Sequence, residues 1–317
     1  MSPLVATVLF VFGMVALGYV AGATGYLKSG TGEALSEFAV GVAMPLLLFR
    51  TMVASDFHGA APWALWTTYF TAAAVAWIAG HLVITRLFGR DSQTGVVGGV
   101  SAALSNLVLL GIPFMLGVFG QPGFEILSLV VSVHLPTMIA ASIVLFELFG
   151  RAKGGALHPA AMLATFLRRL VVNPLIVGIL AGLAWRATGL PLPDWAARFV
   201  DALADIAGPL ALFAMGLGLT RFGISGHVAP ALVLSFVKLM LMPAVAFALA
   251  WWIGLPPLAA KVAVAAAALP SGVNSYLIAA QFGTGQALAS NQMSIATLGA
   301  VLTTAFWLAV AERVFGL

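Results

Sequence analysis

Two long uncharged stretches of this chain carry residues that do not belong in the middle of a membrane helix. The first runs from Ser92 to Phe124 and contains Ser105-Asn106-Leu107-Val108-Leu109-Leu110-Gly111-Ile112-Pro113. The second runs from Val262 to Ala311 and contains Leu269-Pro270-Ser271-Gly272-Val273-Asn274. Each puts Asn, Gly, Pro and hydroxyl side chains where a bilayer demands a continuous apolar helix. Main chain released there must be buried in protein or line a cavity, because hydrocarbon cannot hydrogen-bond it. Interrupted spans at corresponding places in two halves are the best sequence pointer to a transporter's binding site.

The rest of the chain supports a membrane setting. With 62% hydrophobic and 8% charged residues, it falls outside the range of soluble globular proteins. Apolar segments long enough to cross a hydrocarbon core of roughly 30 Å recur from end to end. They lie at 3–23, 34–54, 63–88, 94–119, 124–149, 168–186, 196–220, 228–253, 260–283 and 287–311. The expected fold is therefore an all-α membrane protein with ten transmembrane helices. The 50-residue uncharged run 262–311 fits two spans joined at Gly283-Thr284-Gly285. The first segment has no basic leader and reads as a retained span rather than a cleaved signal. Cysteine is absent, which removes disulfides and thiolate chemistry. Loops after odd-numbered spans carry Lys28, Arg86, Arg90, Arg151, Lys153, Arg168, Arg169 and Arg221. The opposite side carries Arg50, Arg186, Arg198, Lys261 and Arg313. This bias puts both termini outside the cytoplasm. Nothing in the net charge of +4 forms a nucleic-acid patch.

The chain also repeats itself. Met44-Pro45-Leu46-Leu47-Leu48-Phe49 is echoed 164 residues later by Gly208-Pro209-Leu210-Ala211-Leu212-Phe213. Glu37 and Asp201 each stand eight residues before their proline, and the distances from proline to Asn106 and Asn274 are 61 and 65 residues. Span 2 thus matches span 7, and span 4 matches span 9. Five spans per repeat is an odd number, so the second copy enters the membrane inverted. The expected organisation is a first repeat over 1–149, a connector over 150–160 and a second, inverted repeat over 161–317.

Several motifs in one order resemble the auxin efflux carrier family, which includes the plant PIN proteins and bacterial permeases. They are the segment 38–49, Asn106 with Gly111-Ile112-Pro113, Asn173-Pro174, Lys238 with Pro243, and Ala268-Leu269-Pro270-Ser271-Gly272. The resemblance covers most of the chain. It implies two inverted five-helix repeats with broken crossover helices 4 and 9, a layout shared with bile-acid symporters. Spans 1, 2, 6 and 7 would form a scaffold and the others a transport domain. It implies a small organic anion as substrate, such as indole-3-acetate or a dicarboxylate. Plant members place a proline immediately before the first crossover asparagine, where this chain has Ser105. Asn274 stands where the plant pattern is apolar or proline. Both departures point away from auxin itself and leave the carboxylate theme intact.

Asn106 and Asn274 each offer an amide donor and acceptor, and half-helix N-termini favour an anionic ligand. The alternative is that each merely caps broken backbone. Pro113 and Pro270 act through geometry, lacking an N–H, while Ser271 and Gly272 let a ligand approach the main chain. With Ser105 and Gly111 these are the candidate substrate-binding residues. Lys238 lies about ten residues into span 8, where a lone ammonium costs at least ~2.5–3.5 kcal/mol. It reads as an anion attractor or a gate pairing with a span 7 acid; the bland reading is snorkelling to an interface. Asp205, one turn after Asp201, is a candidate to neutralise Lys238 or take up a proton. His81 and His134 are further coupling candidates, set against a purely structural role.

No HExxH, paired catalytic carboxylates or P-loop appears, so neither hydrolysis nor ATP drive has a basis, and neither a cofactor nor a metal centre is expected. Unwound carbonyls with Asn274, Gln281, Asn291 and Gln292 are possible sodium ligands, but neither crossover holds a carboxylate to offset a cation. Proton coupling, sodium coupling and potential-driven efflux stay open. The expectation is an alternating-access carrier of a small organic anion, monomeric or dimeric, in a bacterial cytoplasmic membrane. The rivals are a sodium-coupled bile-acid-type symporter and a ligand-binding membrane sensor.

Overall fold

The computed structural model describes residues 3–28, 30–54, 62–150, 172–221, 226 and 228–316. Every regular element among them is helical. In chain order the α-helices are α1 (Pro3–Ala23), α2 (Thr31–Phe38), α3 (Met44–Ala54), α4 (Trp63–Leu82), α5 (Ser92–Ala103), α6 (Ile112–Gly150) and α7 (Pro174–Ala187). They continue as α8 (Asp194–Leu219), α9 (Ala229–Phe236), α10 (Met242–Ile253), α11 (Pro257–Ala268), α12 (Val273–Gln281) and α13 (Gln286–Phe315).

Several of these join end to end through single π-helical turns. The turns Ala39–Ala43, Leu107–Gly111 and Val237–Leu241 each end two residues before a proline, at Pro45, Pro113 and Pro243. The cause is local. Proline has no N–H for the carbonyl four residues back, and its ring crowds that carbonyl, so the helix widens by one residue ahead of it.

By length and composition, seven helical stretches among the described residues can cross a membrane, or eight if the bent pair α11 and α12 counts as one. Ten spans were expected. Two of them, 94–119 and 124–149, fall inside the single 58-residue stretch Ser92–Phe149. That stretch is interrupted at 104–106 and again at Gly120, whose φ of 64° and ψ of −160° are non-helical. Another, 168–186, begins outside the described residues, and the 14 residues of α7 are shorter than a full span. The expected connector after Gly150 also lies outside the described residues.

The chain divides into two compact units, and each draws on both halves of the sequence. One comprises Met1–Ala61, Val108–Ser132 and Ala164–Arg221; the other comprises Pro62–Leu107, Val133–Leu163 and Phe222–Leu317.

In the first unit α1 packs on α8, and α3 packs on α7. Numbered as spans, these pairs are 1 with 7 and 2 with 6, each the counterpart of the other when the halves are exchanged. Both are close backbone approaches made by glycine. A Cβ on Gly216 would overlap the Val15 carbonyl oxygen, and one on Gly178 would overlap that of Pro45. Small residues let membrane helices approach closely and gain dispersion contacts, because burying apolar surface away from lipid gives little. The same unit holds an ion cluster in which one Arg50 nitrogen reaches Asp205 at 2.8 Å and Asp201 at 3.1 Å.

In the second unit α4 packs on α5 and α10, α11 on α10 and α13, and both α9 and α12 on α13. Lys261, almost fully buried near the start of α11, pairs with Glu312 of α13 at 3.0 Å. That carboxylate offsets a cation placed at the unfavourable end of a helix dipole.

Leucine in place of Gly216 must displace main chain rather than a flexible side chain. Gly216→Leu is expected to cost about 1–3 kcal/mol or more, seen as a lower melting temperature and loss of monodisperse protein. Gly218→Ala, two residues on with open space around it, is expected to stay within ~0.5 kcal/mol of the parent.

Candidate functional site

The site is built from two helices that stop inside protein. Asp91 caps α5 by accepting from the Thr94 N–H at 2.9 Å and the Thr94 hydroxyl at 2.6 Å. These bonds hold the Asp91 carboxyl below the usual carboxylate range. From Gly95 to Ala103 every residue of α5 is buried. The helix then ends at an extended Leu104 (φ −77°, ψ 116°). Likewise α11 is buried from Ala260 to Ala268 and ends at an extended Leu269 (φ −64°, ψ 146°). After Leu269 the chain passes through Pro270, Ser271 and an extended Gly272 before α12 begins, bent by 52° from α11. Counted from the two leucines, Asn106 corresponds to Ser271, and Asn274 falls in the first turn of α12.

The two breaks touch. The Asn106 N–H donates to the Pro270 carbonyl at 2.8 Å. Gly272 lies so close to the Asn106 side chain that a Cβ there would come within 3.1 Å of Asn106 Cγ. Lys238, fully buried in the π-helical turn of span 8, joins both breaks. Its ammonium donates to Ser105 Oγ at 2.8 Å and to the Ala267 carbonyl at 2.7 Å, and its third contact is Met242 Sδ at 3.1 Å. An ammonium has three protons, and three acceptors receive them. All three are neutral. The Ala267 carbonyl is one of the last four of α11, which lack helical partners and carry the negative end of the helix dipole. Its neighbour, the Ala268 carbonyl, accepts from Thr304 Oγ1 at 3.3 Å.

Other groups complete the surroundings. Ser271 Oγ bonds Gln292 Oε1, so the second break is also held by α13. Pro243 leaves the Leu239 carbonyl without its helical donor, and the Trp307 indole N–H fills the gap at 3.0 Å. His134 is buried; its ring lies 5.5 Å from that of Tyr69, edge to face, and stacks at 6.4 Å on Phe70. The Lys238 ammonium and the Ser105 main chain are within electrostatic reach of the His134 ring. The Tyr69 hydroxyl, fully buried, lies beside Ser105.

Among the residues singled out from sequence, the structure brings together Ser105, Asn106, Pro270, Gly272 and Lys238, with Ser271 and His134 around them. Asn274 is half-buried in α12. His81 stands apart: it stacks on Phe149 at 4.8 Å, 12 residues or about 18 Å along α4 from Tyr69. Gly111 and Pro113 are buried within the first unit, Pro113 beside Gly208 of α8. Asp205 and Asp201 are taken by Arg50, and the partners found for Lys238 are all in the second unit. The pairing of Lys238 with a span 7 acid is therefore not the arrangement seen. Tyr69, Met242, Thr304 and Trp307 were not anticipated. A tyrosine hydroxyl and an indole N–H within apolar spans are the signal that could have marked two of them, since both groups need partners when buried.

The family described as "Membrane transport protein" matches residues 3–308. The chain belongs to it, the family of the auxin efflux carriers. A Rhizobium meliloti protein named "Putative malonate transporter" is 28% identical over 96% of this chain and 94% of its own length. Auxin efflux carrier component 8 of Arabidopsis thaliana is 24% identical, covering 68% of this chain and 71% of its own. The mouse lysosomal cholesterol signaling protein is 26% identical over 73% of this chain, which spans 28% of that protein. This membrane transport protein is thus a multi-pass membrane protein. Family membership of transporters also argues against an enzyme.

The cap at Asp91 governs how α5 enters the site. Asp91→Ala is expected to lower stability by roughly 0.5–2 kcal/mol. The folded carboxyl titrates below its unfolded value of about 3.9. Its contribution is therefore complete above that pH and is lost as pH falls through the folded value. A pH series of melting temperatures for parent and variant should show the gap closing only on acidification below pH 4.

Proposed function

We propose that this transport protein is an alternating-access carrier of a small organic anion, with short dicarboxylates of the malonate type as the leading substrate class. The observation that carries the reading is the buried Lys238 ammonium at the contact between the two breaks, satisfied only by neutral groups. A buried lysine with no carboxylate in its hydrogen-bonding shell has its charged form stabilised by an arriving anion, so it favours an anion over a cation as ligand. Ser105, Asn106, Gly272 and Asn274 supply hydroxyl, amide and main-chain donors suited to carboxylate oxygens, with Ser271 held by Gln292 beside them. The name carried by the Rhizobium meliloti relative points to the same chemistry.

The carrier is read as ten spans in two inverted repeats, 1–149 and 161–317, with both termini on the periplasmic side of a bacterial inner membrane. The interchangeable pairings of spans 1 with 7 and 2 with 6 support the repeat. Elevator-like motion of the unit holding the breaks is the favoured cycle. The division into two units supports it, because described parts of spans 1, 2, 6 and 7 fall in one unit and those of spans 3, 8, 9 and 10 in the other. Export of an anion down a negative-inside potential yields about 2.3 kcal/mol per charge per 100 mV, so no coupling ion is required. The similarity to a signaling protein supports a second reading, ligand sensing without turnover.

Purified carrier screened by thermal shift is expected to be stabilised by malonate and related carboxylates but not by neutral or cationic solutes. Asn106→Ala and Asn274→Ala should each weaken that binding at least about tenfold, as expected for loss of a hydrogen bond to a charged group, ~1.5–3 kcal/mol. In proteoliposomes the stabilising anion should move faster when the potential favours it. Binding without flux would replace the carrier by the sensor; stabilisation that survives both substitutions would remove the site.

A further inference from the structure

His134 is a buried titratable side chain that the breaks leave unused. It sits almost fully buried in α6, and neither ring nitrogen has a hydrogen-bond partner in the protein. The hydroxyl of Tyr69, whose ring meets it edge to face at 5.5 Å, is likewise buried and without a partner. Buried polar groups are normally paired, and an ionisable one inside a membrane points to function. These nitrogen and oxygen atoms are sealed from solvent. A carboxylate or a metal ion needs room that a sealed atom does not offer; a proton needs none.

The groups facing the ring set when a proton is held there. From α4 come Tyr69 and Phe70, from the first break Ser105, and from the π-helical turn of span 8 the Lys238 ammonium. No carboxylate is among them. The acids of α6 itself, Glu125 and Glu147, lie 9 and 13 residues from His134, about 14 and 20 Å along the helix. A proton on His134 therefore adds a second positive charge beside Lys238. In a low-dielectric interior that charge needs an anion to balance it. A monoanion balances Lys238 and nothing more, whereas a dianion has one charge left for His134. Tyr69 and the main chain of Ser105, which border the ring, carry oxygens that can accept from the two N–H groups of an imidazolium.

We propose that His134 is a coupling-proton site for dianions: it takes up one proton when a dicarboxylate enters, carries it across with the ligand and gives it up when the ligand leaves, and takes none with a monocarboxylate. This rests on the anion-carrier reading, which it deepens by assigning how the second charge of a dicarboxylate is met. The proton comes from water on the side where the anion enters, forms an N–H bond on the ring, and returns to water on the other side. Counting Lys238 as one positive charge, the site is neutral when loaded with a dianion and a proton, and neutral when loaded with a monoanion alone. Both cargoes then move one net negative charge per cycle and respond alike to membrane potential. Only dicarboxylate flux responds to a pH gradient as well.

The test is isothermal titration of the full chain at pH 7.5 with malonate and with malonamate, its monoamide, which has the same skeleton and one charge. Each titration is run in two buffers of different ionisation enthalpy, so that the heat difference counts protons. The parent is expected to take up about one proton more with malonate than with malonamate. In His134→Gln, which stays polar but cannot hold the proton, that excess should vanish. Malonate affinity should fall at least tenfold there, and malonamate affinity should stay within about twofold. In proteoliposomes at clamped potential, a pH gradient should drive malonate toward the alkaline side with the parent and not with His134→Gln. An excess that persists in His134→Gln places the proton elsewhere and overturns the proposal. If malonamate does not bind, the malonate proton count of parent against variant decides. If His134→Gln does not fold, His134→Phe, whose ring packs against Tyr69 and Phe70, is read by the same criteria. Malonate bound by the parent without an extra proton sinks this proposal alone; if neither acid binds, the anion reading fails and this one with it.

Discussion

A lysine ammonium that donates at once to Ser105 Oγ and the Ala267 carbonyl is the interaction around which the second unit is organised. Both acceptors exist because a helix has stopped inside protein. The ends of α5 and α11 release carbonyls and hydroxyls that lipid cannot satisfy. Lys238 sits where the negative end of the α11 dipole is felt most. Remove the breaks and the Lys238 side chain keeps only Met242 Sδ; remove Lys238 and Ser105 Oγ and the Ala267 carbonyl lose the bond that links them. The cost of a buried charge and the cost of unpaired carbonyls offset one another at one point.

The same economy recurs on a smaller scale along span 8. Pro243 deprives the Leu239 carbonyl of its donor, the helix widens into a π-turn, and the Trp307 indole N–H supplies the missing bond. The widened turn is the one that carries Lys238. A single proline thus shapes the segment bearing the buried ammonium and ties it to α13, which also holds Ser271 through Gln292 and the Ala268 carbonyl through Thr304. The first unit solves a different problem. Its helices approach through glycine at Gly216 and Gly178, and Arg50 is bound locally to Asp201 and Asp205. The hydrogen bonds of buried polar side chains described above are thereby concentrated in the unit that holds the breaks.

The chain's own residues determined a great deal. Long apolar runs with 8% charge require helices, since only a helix satisfies its own backbone without help from distant segments. Pro270 and Gly272 lie in the second break, where their effect on main-chain geometry is local; the first break, at 104–106, holds neither residue type, and Pro113 instead follows a π-helical turn inside a continuing helix. The family followed from motifs kept in one order, and the residues of both crossovers were legible for the same reason. Tertiary structure decided the partners. That Asp201 and Asp205 pair with Arg50, that Lys238 bonds Ser105 and Ala267, and that Asn106 bonds Pro270 all depend on contacts between residues far apart in the chain. Spacing along the chain carries no measure of such distances. An acid and a base in an apolar sequence look like natural partners until packing assigns each to a different neighbour.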